Sequence, residues 1–263
     1  MNNLKLTLVA GLLSIAATAS AQFANTGNSA KETSNIENYG RITISYNPNN
    51  FDILGHDQSL YGISLGYTKG IGISKNYPIF VEVGARLNYS FKTQDLFEND
   101  GDLFEDEYFE DHLKISKEEA IDQFFNKHHL TLSYMNIAVP VSLAYKFQVK
   151  DKIAITPFAG VVLKCNLLAE ETYDVELTKL AEESIYKEYL VEYLEDYKND
   201  INYFDEENVG KDFVWNRFQV GWNIGVGVDF NRCYVGVSYG SDFTDLGKLV
   251  KSSNWAISLG YNF

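Results

Sequence analysis

The last ten residues, Asn254 to Phe263, constrain the fold more than any other part of this chain. Large apolar side chains take every second position (Trp255, Ile257, Leu259, Tyr261 and Phe263), with Ala256, Ser258, Gly260 and Asn262 between them. Successive side chains of a strand point to opposite faces, so the segment carries one bulky apolar face and one thin polar face.

The same alternation recurs upstream. Strands are expected near 40–46, 59–68, 79–91, 131–147, 153–167, 214–230, 233–241 and 254–263. In 217–230, Phe218, Val220, Trp222, Ile224, Val226, Val228 and Phe230 share one face, opposite Gln219, Gly221, Asn223, Gly225, Gly227 and Asp229. A water-soluble sheet hides its bulky face and exposes a charged one. Here the thin face is mostly Gly, Ser and Asn, which suits the inside of a narrow closed barrel whose bulky face meets lipid. The expected fold is all-β: an eight-stranded antiparallel transmembrane up-and-down β-barrel, the size at which side chains fill the interior.

Connection lengths support that count. If the first strand starts in the periplasm, the periplasmic links are 69–78, 149–152 and 231–232. The outer links are about 47–58, 92–130, 168–213 and 242–253. Long and short links thus alternate sides, as outer-membrane barrels require.

Residues 1–21 begin with a lysine-bearing start, continue through an apolar run and end in Ala19-Ser20-Ala21, the pattern of a secretory signal peptide. Residues 22–38 read as a flexible lead-in and 39–263 as the barrel. Beyond residue 21 no uninterrupted apolar run reaches the length of a membrane helix, about 18 residues. An exported chain with this pattern is expected in the outer membrane of a Gram-negative-type bacterium, in contact with outer-membrane lipid. A soluble periplasmic barrel that holds an apolar ligand is the alternative location.

Three segments carry a family resemblance: Tyr134 to Phe147 (YMNIAVPVSLAYKF), Ile155 to Val162 (ITPFAGVV) and the final SLGYNF. They resemble the PorT-like group of outer-membrane β-barrel domain proteins and, more distantly, other small eight-stranded barrels. The closing strand looks like the C-terminal signature of such barrels, which implies recognition by the barrel-assembly machinery. The likeness covers the strands, about half the chain, and bears on architecture. Its members' roles, as secretion-system parts, adhesins, stress proteins or unassigned surface proteins, leave the activity open.

The long outer links are individual to this chain. Segment 92–130 holds 12 Asp/Glu against 4 Lys, a net charge of −8, and 169–213 holds 15 against 4, a net of −11. With −14 for the whole chain, the remainder carries +5, so the acidity belongs to the loops. Such loops repel nucleic acid and attract a basic protein partner or, weakly, cations. The same charge could equally serve only to keep a surface protein solvated.

Both loops also show helical spacing. Tyr186, Tyr189, Leu190, Tyr193, Leu194 and Tyr197 form an apolar stripe within 174–200, a candidate partner surface. Ser116 to Lys127 starts with a capping-box pattern, Ser116 with Glu119, and would use Ala120, Ile121, Phe124 and Phe125 as its stripe. The simpler alternative is that the two helices pack together as a cap over the barrel.

By parity Arg41, Glu82, Arg86, Lys146, Lys164 and Asp229 face the interior. Buried charges need partners, so an ion-pair network is expected there, with a small ion path as the alternative. No nucleophile motif accompanies His128 and His129, which as strand neighbours should face opposite ways. The acidic run 99–107 fails the calcium-loop pattern, because aligning Gly101 places Leu96 at the first ligand position. No cofactor is expected. Cys165 and Cys233 fall on non-adjacent strands at opposite rims, so two free thiols facing lipid or the rim are expected. The sequence therefore points to a non-enzymatic surface or envelope interaction protein. A structural component of a secretion or envelope complex is the second reading, and a barrel-embedded lipid-modifying enzyme the third.

Overall fold

The computed structural model describes residues 37–53, 56–96, 117–150, 152–184, 187–194, 200–248 and 250–263. The expected signal peptide (1–21), nearly all of the lead-in, the 99–107 run, Ser116, Tyr186 and Tyr197 lie outside them.

The described strands are β1 (Tyr39–Tyr46), β2 (Asn49–Ile53), β3 (His56–Gly72), β4 (Ile79–Asp95), β5 (Phe125–Tyr145), β6 (Phe147–Lys150), β7 (Ile153–Leu177), β8 (Ile201–Asn202), β9 (Phe218–Phe230), β10 (Cys233–Asp242) and β11 (Val250–Asn262). Each wall strand pairs antiparallel with its neighbours, and β1 closes the ring against β11 from Arg41↔Asn262 to Tyr46↔Ile257. β1 and β2 act as one strand, because both pair with β11 and β3 in a single unbroken register. The interruption falls at Asn47-Pro48, where proline has no N–H to give the ladder. β6 and β8 are short additions to β7, so the wall has eight strands.

The wall is inside out. Ile44, Ile63, Leu65, Val161, Ile224, Val237 and Leu259 point outward and are exposed, whereas Arg41, Asn47, Asn88, Asn136, Thr156, Gln219 and Asp229 are buried. Two sets of aromatic contacts bracket the apolar band. Tyr46–Trp255, Tyr89–Phe91 and Trp222–Tyr239 lie toward the long-loop end, and Tyr67–Phe263 and Tyr145–Phe147 toward the short-turn end. The eight steps from Trp255 to Phe263, at about 3.4 Å per residue and tilted as barrel strands are, rise roughly 20 Å, most of an apolar band of about 25 Å.

At the long-loop end the strands run further than the alternation alone suggests. Much of the links expected at 47–58, 92–130, 168–213 and 242–253 is strand, since β2 and β3 enclose only 54–55, β4 reaches Asp95, β5 starts at Phe125, β7 reaches Leu177 and β11 starts at Val250; β9 alone falls short, starting at Phe218 where a strand from 214 was expected. Charged residues there resemble a loop in sequence. Above the lipid, however, a ladder stands in water and tolerates them, and Thr93 and Thr131 join hydroxyls across it at 3.0 Å.

Helix α1 (Lys117–Phe124) leads into β5, while α2 (Lys179–Glu183), α3 (Lys187–Leu194) and α4 (Glu206–Val209) lie between β7 and β9. Residues 174–177 are strand rather than helix, because Thr178 ends β7 and caps α2, its Oγ1 accepting from the Ala181 N–H at 3.2 Å. The same hydroxyl donates to the Gln123 carbonyl at 2.6 Å, which ties α2 to α1. Ile121, Phe124, Phe125, Ala181 and Leu190 are buried, so this end has a packed cap.

Under the cap, Phe51, Leu60, Tyr134, Ala169, Leu246 and Val250 form an apolar core inside the barrel, with Tyr203 and Trp215 stacked at 4.4 Å against it. Leu246 is fully buried, and Leu246→Ala is expected to cost roughly 2–5 kcal/mol. A drop in the urea midpoint of the refolded protein measures that cost, and an unchanged midpoint contradicts the packing.

Candidate functional site: the barrel interior and the acidic rim

Toward the short-turn end, Arg41 organises the interior. Its Nη1 lies 3.4 Å from Glu82 Oε1 and its Nη2 3.7 Å from Asp229 Oδ1. Its Nε donates to Asn262 Oδ1 at 2.9 Å, and Asn262 Nδ2 donates to Asp229 Oδ1 at 2.7 Å. Lys146 Nζ closes the group 2.9 Å from Asp229 Oδ2, and Tyr39 donates its hydroxyl to Glu82. The guanidinium also sits over the Tyr234 ring, 3.6 Å from its centroid. That ring lies along β10 because the paired residues Gly227 and Gly236 leave it room, each offering a place where a Cβ would strike it. Five strands of the wall (β1, β4, β9, β10 and β11) and the junction of β5 with β6 are thereby tied together by one buried charge cluster.

Nearer the long-loop end, Lys164 Nζ meets both oxygens of Asp242, at 2.8 and 3.0 Å. Ser252 donates its hydroxyl to the same carboxylate at 2.5 Å. Asp242 was missed by the sequence reading, which placed 242 in a loop. The parity of Tyr234, Gly236, Ser238 and Gly240, carried one step further, points it inward. An amide chain was missed as well: Asn47 donates to Asn88 at 3.1 Å, and Asn88 to Asn136 at 2.7 Å. Arg86 joins neither charge group, and no ion pair to it occurs among the described residues.

Spaces of about 40 and about 30 Å³ border Arg86. By the measure on which a water needs roughly 10–15 Å³, they hold about two to four waters each, too few for a hydrated ion. A packed interior of this size matches an eight-stranded barrel filled by its own side chains.

Of the tyrosine stripe, Leu190 is buried, so it belongs to the cap's core rather than to an open docking face. The side chains of Tyr189, Tyr193 and Leu194, like Tyr186 and Tyr197 altogether, lie outside the described residues, as does that of Ala120.

The acidic rim is partly ordered. Lys127 bridges Asp174 and Glu176, both at 3.4 Å, and the Asp174 hydrogen bond is the main influence holding its ammonium above the usual lysine range. Tyr203 donates its hydroxyl to Glu171, and burial, reinforced by that carboxylate, pushes the phenol up. His128 Nε2 lies 3.0 Å from Asp95 Oδ2. The rings of His128 and His129 are 5.2 Å apart, contrary to the expected opposite placement. Both residues pair in regular register with Val175 and Asp174, one step past the register shift between Phe125 and Lys127. Cys165 and Cys233 are both free; Cys233 is exposed, but Cys165 is buried where β5 and β7 slip register at Met135/Asn136, not open to lipid.

A closed wall with apolar residues outside and charges within is what an outer-membrane barrel needs, and the model of the outer membrane protein beta-barrel domain matches residues 21–263. The chain belongs to that family. It is a protein of the outer membrane, and the soluble periplasmic alternative is set aside by its exposed apolar wall. No curated protein matches its sequence.

Among solved structures the fold is similar to that of the attachment invasion locus protein Ail of Yersinia pestis, in complex with the heparin analogue sucrose octasulfate. That match has 11% identity, covers 86% of this chain and 99% of the other, and has a TM-score of 0.39. Neisserial surface protein A matches at 11% identity over 86% and 97% of the two chains, with a TM-score of 0.40. The outer membrane enzyme PagL matches at 10% identity over 83% and 98%, with a TM-score of 0.39.

Proposed function

We propose that this outer-membrane barrel is a non-enzymatic surface interaction protein, exported by way of residues 1–21. Its long-loop end faces outward and its acidic rim and helical cap form the recognition element. The observation that carries this reading is the separation of charge: −8 and −11 in two outer segments, against +5 in everything else. Exposed acids on the described part of that end include Asp174, Glu176, Glu182, Glu183, Glu206, Glu207 and Asp212. A field of one sign speeds encounter with an oppositely charged partner and fades with salt over about 8–10 Å. The fitting partner is a basic protein or peptide; divalent cations would bind more weakly.

Cells displaying the protein should retain a fluorescent Lys-rich peptide at low salt. Changing Glu182, Glu183, Glu206, Glu207 and Asp212 to their amides should lower retention several-fold, as should raising the salt. Equal retention by both strains would sink the proposal.

A second reading has one observation in its favour. At the short-turn mouth a hollow of about 640 Å³ is walled by Tyr39, Phe80, Tyr145, Phe147, Lys146 and Arg232. A periplasmic component of an envelope complex could seat there, and crosslinks confined to that rim would favour this reading over the first. The closing strand β11 is then also what the barrel-assembly machinery reads.

A further inference from the structure

Arg86 stands at the middle of β4, between the Arg41 and Lys164 charge groups. It faces inward, since its Cγ lies 3.6 Å from where a Cβ on the inward-facing Gly66 would stand. An arginine keeps its proton at any ordinary pH, so burial cannot neutralise it. Arg86 is half-buried on the inward face, and a charge held there without an opposite charge is costly; every other inward charge named above has a counter-charge. Across these layers four cations (Arg41, Arg86, Lys146 and Lys164) face three carboxylates (Glu82, Asp229 and Asp242). One positive charge is left over, and it is at Arg86.

The space of about 30 Å³ beside Arg86 is lined by Lys164, Asn88, Asn223, Asn254, Ser238 and Ser241 among others, and no carboxylate lines it. Two cationic side chains, three amides and two hydroxyls offer many donors around a space with room for one dehydrated halide and too little for a hydrated ion or an oxyanion with its shell. We propose that the barrel interior holds one small monovalent inorganic anion, of the chloride class, between Arg86 and Lys164. It neutralises the leftover charge and is trapped as the ring closes, below the apolar core around Tyr134 and Trp215.

The test uses the full barrel refolded from urea into detergent in sodium bromide with chloride excluded, then crystallised. Diffraction at the bromine edge should give one anomalous peak inside the wall, within contact of Arg86 and Lys164. Refolding should also be several-fold more efficient in bromide or chloride than in gluconate at equal ionic strength, a difference that Arg86→Gln removes. The first measurement needs only the native chain, so a variant that fails to fold leaves it standing. An interior without an anomalous peak, filled by water alone, overturns the proposal.

Discussion

Arg41→Ala should lower the stability of the folded barrel by roughly 3–5 kcal/mol, among the largest losses a single substitution in this chain can cause. Arg41 is the cation shared by Glu82 and Asp229, and it is 3% exposed. Without it Glu82 retains Tyr39 and Asp229 retains Lys146 and Asn262, which leaves more buried negative charge than positive at that end. Much of the cost is that of stranded carboxylates rather than of the lost contacts themselves. Urea titration of the protein in lipid vesicles, read by tryptophan emission, measures it. Replacing Glu82 with Gln in the same chain should recover part of the loss. A midpoint unchanged by Arg41→Ala contradicts the network.

Val226→Arg should cost about 2–4 kcal/mol, because it places a guanidinium in the middle of the lipid-facing wall. Val226 lies on β9 between Pro157 and Val237, outward and exposed, with Phe218 and Phe230 at the ends of the strand. In a soluble barrel the same exposed site would accept arginine within about half a kcal/mol. The substitution therefore reads the solvent on that face. A neutral result in vesicles would mean that the bulky face does not meet lipid.

Much of this architecture was legible in the chain because two independent signals agree. Alternation at a period of two separates Trp255, Ile257, Leu259 and Tyr261 from Ala256, Ser258 and Gly260, and link lengths alternate between short and long. Parity also carried Arg41, Glu82, Arg86, Lys146, Lys164 and Asp229 to one face, since all but Lys146 lie inside a strand and Lys146 sits at the one-residue break between β5 and β6. What parity could not supply was who meets whom. Arg41 and Asp229 are far apart in sequence and come together only when β11 closes on β1.

The strand ends were harder to read. Asp95, Asp174 and Glu176 look like loop residues, yet they sit on ladders that rise past the lipid into water. Asp242 escaped for the same reason, one step beyond where the apolar pattern stops. The apolar core of Phe51, Tyr134, Trp215 and Leu246 was hidden differently: its members come from distant parts of the chain, and Phe51 and Leu246 fall in segments expected to be loops. Register shifts, such as those before Lys127 and beside Asn136, leave no mark in composition, and neither do the approach of the His128 and His129 rings and the burial of Cys165.

The central claim is a closed outer-membrane barrel whose acidic, long-loop end faces the outside. Single cysteines in a background lacking Cys165 and Cys233 test it most directly, one at Asn208 beside the cap and one at Lys75 in the short turn between β3 and β4, both exposed. Intact cells are treated with a maleimide that cannot cross the outer membrane. Asn208→Cys should label at once, and Lys75→Cys only after that membrane is opened. Labelling of Lys75→Cys alone in intact cells would reverse the orientation and contradict the account.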